Sequence, residues 1–144
     1  MNKKVILILI FIFTILGVGV SSYLVDMHYS NETGLCTIDE TFDCNKVNTS
    51  EYSTFAGVPV AVMGLIGYII LSIIGVLLIK REDKWTLLTG LLIVLSMIAL
   101  VFSLYLTYIE ITVIRALCIF CIISQITIFI IFLLSLLNLA GKKL

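Results

Sequence analysis

"ALCIFCIISQITIFIIFLLSLLNLA", residues 116–140, carries no charged side chain and is apolar almost throughout. A helix of about 20 apolar residues spans a hydrocarbon core of about 30 Å, so the stretch reads as a membrane span. Three more stretches meet the same test: residues 5–25, 58–79 and 85–109. Backbone in lipid must satisfy its own hydrogen bonds, and these long unbroken runs lack the short alternating pattern of barrel strands, so all four are expected to be helices. The expected fold is an all-α membrane protein, a single four-helix bundle over residues 1–144. With 61% hydrophobic and only 12% charged residues among 144, a water-soluble domain of ordinary composition is excluded. Nothing basic enough to grip nucleic acid is present.

The charges are segregated although they sum to zero. Lys3 and Lys4 precede the first span, Lys80, Arg81 and Lys84 fill the second connection, and Lys142 and Lys143 follow the last span. The connection over residues 26–57 instead holds Asp26, Glu32, Asp39, Glu40, Asp43 and Glu51, against Lys46 alone. Basic residues stay on the cytoplasmic side, so both termini and "KREDK" are expected inside a cell membrane and the 26–57 loop outside. "GVGVSS" after the first apolar run loosely resembles a signal-peptide end, but the run exceeds the usual h-region of about 7–15 residues and no A-x-A site follows, so the span is expected to be retained.

No ionisable residue lies in the middle of a span, which counts against an ion-coupled transporter. Glu110 and Arg115 read as markers of the outer interface, and His28 as a solvated loop residue. Tyr23, Trp85, Tyr105 and Tyr108 read as interfacial anchors.

The cysteines stand apart, because this topology puts all four on one side: Cys36 and Cys44 in the loop, Cys118 and Cys121 at the outer end of the last span. The outside is oxidising, and four cysteines allow three pairings. A zinc site is disfavoured, with no histidine near either pair, so no metal is expected. In a helix, Cys118 and Cys121 share a face about 4.5 Å apart along the axis. A disulfide between adjacent turns of one helix constrains almost nothing, so this pair reads as a reversible dithiol. Cys121, one turn deeper, can meet a partner dissolved in the bilayer. A second dithiol on the loop above suggests a relay in the order Cys36, Cys44, Cys118, Cys121. The competing reading is a non-enzymatic four-span interaction protein whose loop is merely stapled. Graded reduction separates the two, because structural disulfides resist reduction down to about −300 mV.

These features together resemble the compact bacterial members of the vitamin K epoxide reductase family. The resemblance rests on Cys36 and Cys44, Ser50 after them, "AGVPVAVMGLIGY" leading into the second span, and the late "CIFC". The DsbB type shares the plan but carries its C-x-x-C in the first outer loop. The resemblance implies a membrane oxidoreductase that takes electrons from a separate thioredoxin-fold, DsbA-like protein and passes them to a quinone, menaquinone or ubiquinone, in support of disulfide formation outside the cytoplasm. By family pattern Cys36 exchanges with the partner, Cys44 carries electrons to Cys118, and Cys121 faces the quinone. Ser50 would help hold a short loop helix over the site. Animal members place an asparagine in the second span and a tyrosine one turn after the last cysteine against the quinone. Neither is present here, and Gln125 takes the latter position. Phe55, Val58, Val62 and Phe120 are the expected apolar lining of the quinone site.

Overall fold

The computed structural model describes residues 1–30 and 35–141. Among the described residues, four helices are long and apolar enough to cross a membrane. They are α1 (Lys3–Ser30), α3 (Val60–Lys80), α4 (Trp85–Ile109) and α5 (Ile119–Ala140), while α2 (Cys44–Asn48) is a single turn in the first loop. At a rise of about 1.5 Å per residue, even the 21 residues of α3 reach about 31 Å, enough for a hydrocarbon core. The protein is therefore an all-α, multi-pass membrane protein.

The boundaries depart from the sequence reading where local chemistry intervenes. Nothing in "VDMHYS" breaks a helix, so α1 runs on to Ser30, past the expected end at residue 25. The second span starts at Val60, two residues later than expected, because residues 54–59 form a minute hairpin. Its strands β1 (Thr54–Phe55) and β2 (Val58–Pro59) pair antiparallel around Ala56 and Gly57, whose φ angles of 53° and 80° give the left-handed backbone of a two-residue hairpin turn. Pro59 then precedes the first helical residue.

The last span begins at Ile119, three residues later than expected. After α4 the chain widens into a π turn over Glu110–Ile114 and stops at Arg115, which is left-handed at φ 56°. Ala116 and Leu117 then run extended. Leu117 N–H donates to Thr41 O at 2.7 Å and Asp43 N–H donates to Leu117 O at 3.1 Å, pairing this stretch with the first loop as a parallel bridge.

Helix α1 packs against α3 and α5, and α4 against α5 and α3. Small residues allow the closest approaches: Gly17 receives the ring of Tyr68, and Gly64 faces Ser21. One apolar core, built around Ile10, Leu78, Leu92 and Ile131, fills the bundle, and a second, around Leu24, Met27, Val47 and Ala116, lies under the loop with the cysteines. Buried hydroxyls return to their own helix: Ser96 donates to Leu92 O and Ser135 to Ile131 O, both at 2.7 Å. Trp85, expected as an interfacial anchor, is instead buried in the core with Lys3 above its ring.

Candidate redox site

The first loop, the π turn and the start of α5 meet at one end of the bundle, and each brings sulfur. Asp43 caps α2 by accepting from Lys46 N–H at 3.0 Å, which sets Cys44 as the first residue of that turn. Two bonds dock α2 onto α1: Asn48 Nδ2 donates to Leu24 O, and His28 Nδ1 contacts Asn48 O, both at 2.9 Å. A carbonyl only accepts, so Nδ1 carries the proton. His28 is thus a structural tie of the loop and not a solvated residue.

Cys36 and Cys44 are joined by a disulfide, with Cα atoms 5.7 Å apart. Cys44 Sγ also lies 3.0 Å from Cys118 Sγ. The three sulfurs of Cys36, Cys44 and Cys118 fall within 4.8 Å of one another, and all three residues are buried. Three clustered thiols could in principle ligate a metal, but with two of them bonded together only Cys118 can offer a thiolate. The arrangement is that of thiol–disulfide exchange, with a free thiol against a disulfide sulfur.

Cys118 is not inside the helix, as the spacing suggests, but is its N-cap: extended at φ −101° and ψ 115°, it accepts from Cys121 N–H at 3.3 Å through Sγ. The two cysteines stay adjacent, with Cys118 turned to the loop and Cys121 in the first turn of α5. Both carry free thiols.

Below them lies a cavity of about 490 Å³, within the range of small-molecule sites. Its wall is mostly apolar, from Leu71, Leu95, Ile98, Phe102 and Leu106, and a few polar groups converge on it: Cys121, Glu110, Ser124, Tyr68, Thr107 and Asn48. This combination, an apolar wall with a few convergent polar groups, is that of a small-molecule site. Tyr68 donates to Ser124 O at 2.8 Å and lies 2.9 Å from Ser124 Oγ.

Of the residues expected at a quinone site, Ser50 and Phe55 line this cavity. The others stand elsewhere. Val58 is exposed in β2, and Val62 is half-buried outside the lining. Phe120 packs on Tyr23, ring centroids 4.8 Å apart, because the late start of α5 turns it toward α1. Gln125 accepts from the Thr107 hydroxyl, so it ties α5 to α4, and Thr107 is the cavity residue of that pair.

Two features escape the sequence reading. Tyr68 ends the "AGVPVAVMGLIGY" run but gives no sign there of facing a cavity. Glu110, expected at the interface, is only 4% exposed: its Oε2 accepts from Cys118 N–H at 3.2 Å and its carboxyl contacts the Cys121 thiol.

No curated protein matches the chain. The sequence model described as "Vitamin K epoxide reductase family" matches residues 8–136, nearly the whole length. With both dithiols inside the matched segment and the sulfurs in exchange contact, this chain belongs to the vitamin K epoxide reductase family and is a membrane oxidoreductase.

Proposed function

We propose that the protein is a thiol:quinone oxidoreductase that relays electrons from a thioredoxin-fold dithiol, through its loop pair and its C-x-x-C pair, to a membrane quinone. The observation that carries this reading is the position of Cys44, bonded to Cys36 and 3.0 Å from Cys118, above a cavity that Cys121 lines.

The partner's dithiol reduces the Cys36–Cys44 bond and leaves oxidised. Cys44 thiolate then attacks Cys118 of a Cys118–Cys121 disulfide and Cys121 leaves as thiolate. Cys36 resolves the mixed disulfide and regenerates the Cys36–Cys44 bond. Two electrons have then moved onto the C-x-x-C pair, the state with free Cys118 and Cys121. Forming the Cys118–Cys121 bond releases two electrons and two protons, which convert a quinone to its quinol. Ser50 and Phe55 border the quinone, with Tyr68, Ser124 and Thr107 as the polar groups in reach of its oxygens. The charge distribution supports a loop end outside the cytoplasm, since Lys3, Lys4, Lys80, Arg81 and Lys84 all flank the opposite ends of the spans.

The test is a purified assay with menaquinone or ubiquinone analogues and a reduced thioredoxin-fold protein, read by quinone absorbance. Turnover that disappears in Cys118→Ala and in Cys121→Ala is the expected result. Undiminished turnover in those variants overturns the reading, and so does a Cys36–Cys44 bond that resists reduction as a staple would.

A further inference from the structure

Glu110 has no part in the electron path, yet among the described residues it is the one carboxyl that lines the cavity. The π turn that it begins is wide enough to fold its side chain back under the start of α5, and Ala116 N–H closes the turn on Glu110 O at 3.2 Å. Such wide turns within helices are often found at functional sites. The carboxyl therefore meets three things at once: the Cys118 amide, the Cys121 thiol and the cavity.

Resting on the thiol:quinone reading above, we infer that Glu110 is the proton carrier of the site, taking protons from the dithiol and delivering them to the oxygens of the bound quinone. Electrons can pass directly from sulfur to an adjacent ring, but the protons need a group that reaches both. Cys121 contacts Glu110 directly, and the Cys118 thiol reaches it through Cys121. Both S–H bonds break and one S–S bond forms. Each proton passes over Glu110 in turn to become an O–H of the quinol, so the carboxyl ends as it began. The Cys118 N–H holds the carboxyl between the Cys121 thiol and the cavity. Of the titratable groups around Glu110, the Cys121 thiol contacts its carboxyl, whereas Cys118 meets it through its backbone N–H.

A purely structural Glu110 would only cap Cys118 N–H, and Glu110→Gln keeps an acceptor for that bond while losing the ability to carry a proton. The decisive comparison is therefore wild type, E110Q and E110D in lipid nanodiscs. In E110Q the kcat for quinol formation is expected to fall by about 10²-fold or more, the usual worth of general acid–base catalysis, with KM for quinone little changed and E110D in between. Disulfide exchange between the loop pair and the C-x-x-C pair, followed without quinone by alkylation and mass, should continue in E110Q. As a second readout, infrared difference spectra of dithiol against disulfide protein, again without quinone, should contain a carboxyl C=O band that E110Q lacks. Wild-type kcat in E110Q, or no carboxyl band lost, overturns the role of Glu110 and leaves the quinone reading standing. Failure of the wild type to reduce any quinone overturns that underlying reading and this inference with it. If E110Q does not accumulate folded, the absence of any carboxyl C=O band from the wild-type dithiol-against-disulfide difference spectrum overturns the role of Glu110 in the same way.

Discussion

Tyr68 of α3 fills the space that a Cβ on Gly17 of α1 would occupy, so the two helices meet ring to backbone. That contact holds the phenol where it donates to Ser124, one turn below Cys121. Gly17→Ala should therefore overpack the joint and cost about 1–3 kcal/mol. Gly19 has open space around its α-carbon, so Gly19→Ala is expected to be neutral or slightly stabilising. Thermal unfolding in detergent measures both, and equal Tm values for the two variants would refute the packing argument.

Tyr68→Phe keeps the ring and removes the hydroxyl. Loss of a neutral hydrogen bond at the cavity, worth about 0.5–1.5 kcal/mol, should raise KM for quinone by roughly 2–10-fold. The Cys36–Cys44 bond lies outside the cavity lining, so its reduction by a dithiol should keep its rate. A change in the second rate without the first would show that Tyr68 acts on the loop.

Cys36→Ser should trap the relay in mid-course. With no Cys36 to resolve it, a bond between Cys44 and Cys118 accumulates in the presence of quinone, favoured by their 3.0 Å separation, and leaves Cys121 free for alkylation. Peptide mapping under non-reducing conditions checks this, and free Cys44 throughout would count against exchange between the pairs.

Asp43→Ala removes the cap of α2 and should cost that turn about 0.5–2 kcal/mol, whereas Asp43→Asn should keep it. Hydrogen exchange over residues 44–48 should quicken in the alanine variant alone, with slower electron transfer from loop to C-x-x-C pair. Equal exchange in both variants would show that the Asn48 and His28 ties suffice.

Much of this was legible in the sequence, because lipid imposes a simple rule: long apolar runs become helices. The third span, 85–109, coincides with α4, and the redox residues stood out because disulfide chemistry between adjacent helical turns has little structural use. What escaped depends on the loop folding back over the bundle. Glu110 at the end of an apolar run reads the same whether it faces headgroups or is roofed over by Cys118. Gln125 is placed by the family pattern, one turn after Cys121, and Phe120 by its apolar character beside the cysteines; their contacts with Thr107 of α4 and Tyr23 of α1 depend on how the helices pack, which neither criterion reads. Tyr68 needed Gly17 on another helix to define its direction.

The bridge between Phe42 and Leu117 sits one or two residues before each of the sulfurs that must meet, Cys44 and Cys118. Its bonds join peptide groups and are indifferent to side-chain identity. The separation of Cys44 from Cys118 is thus written in chain register: the flanking letters can drift widely, while one inserted residue, or a proline at 43 or 117, would put the two sulfurs out of step.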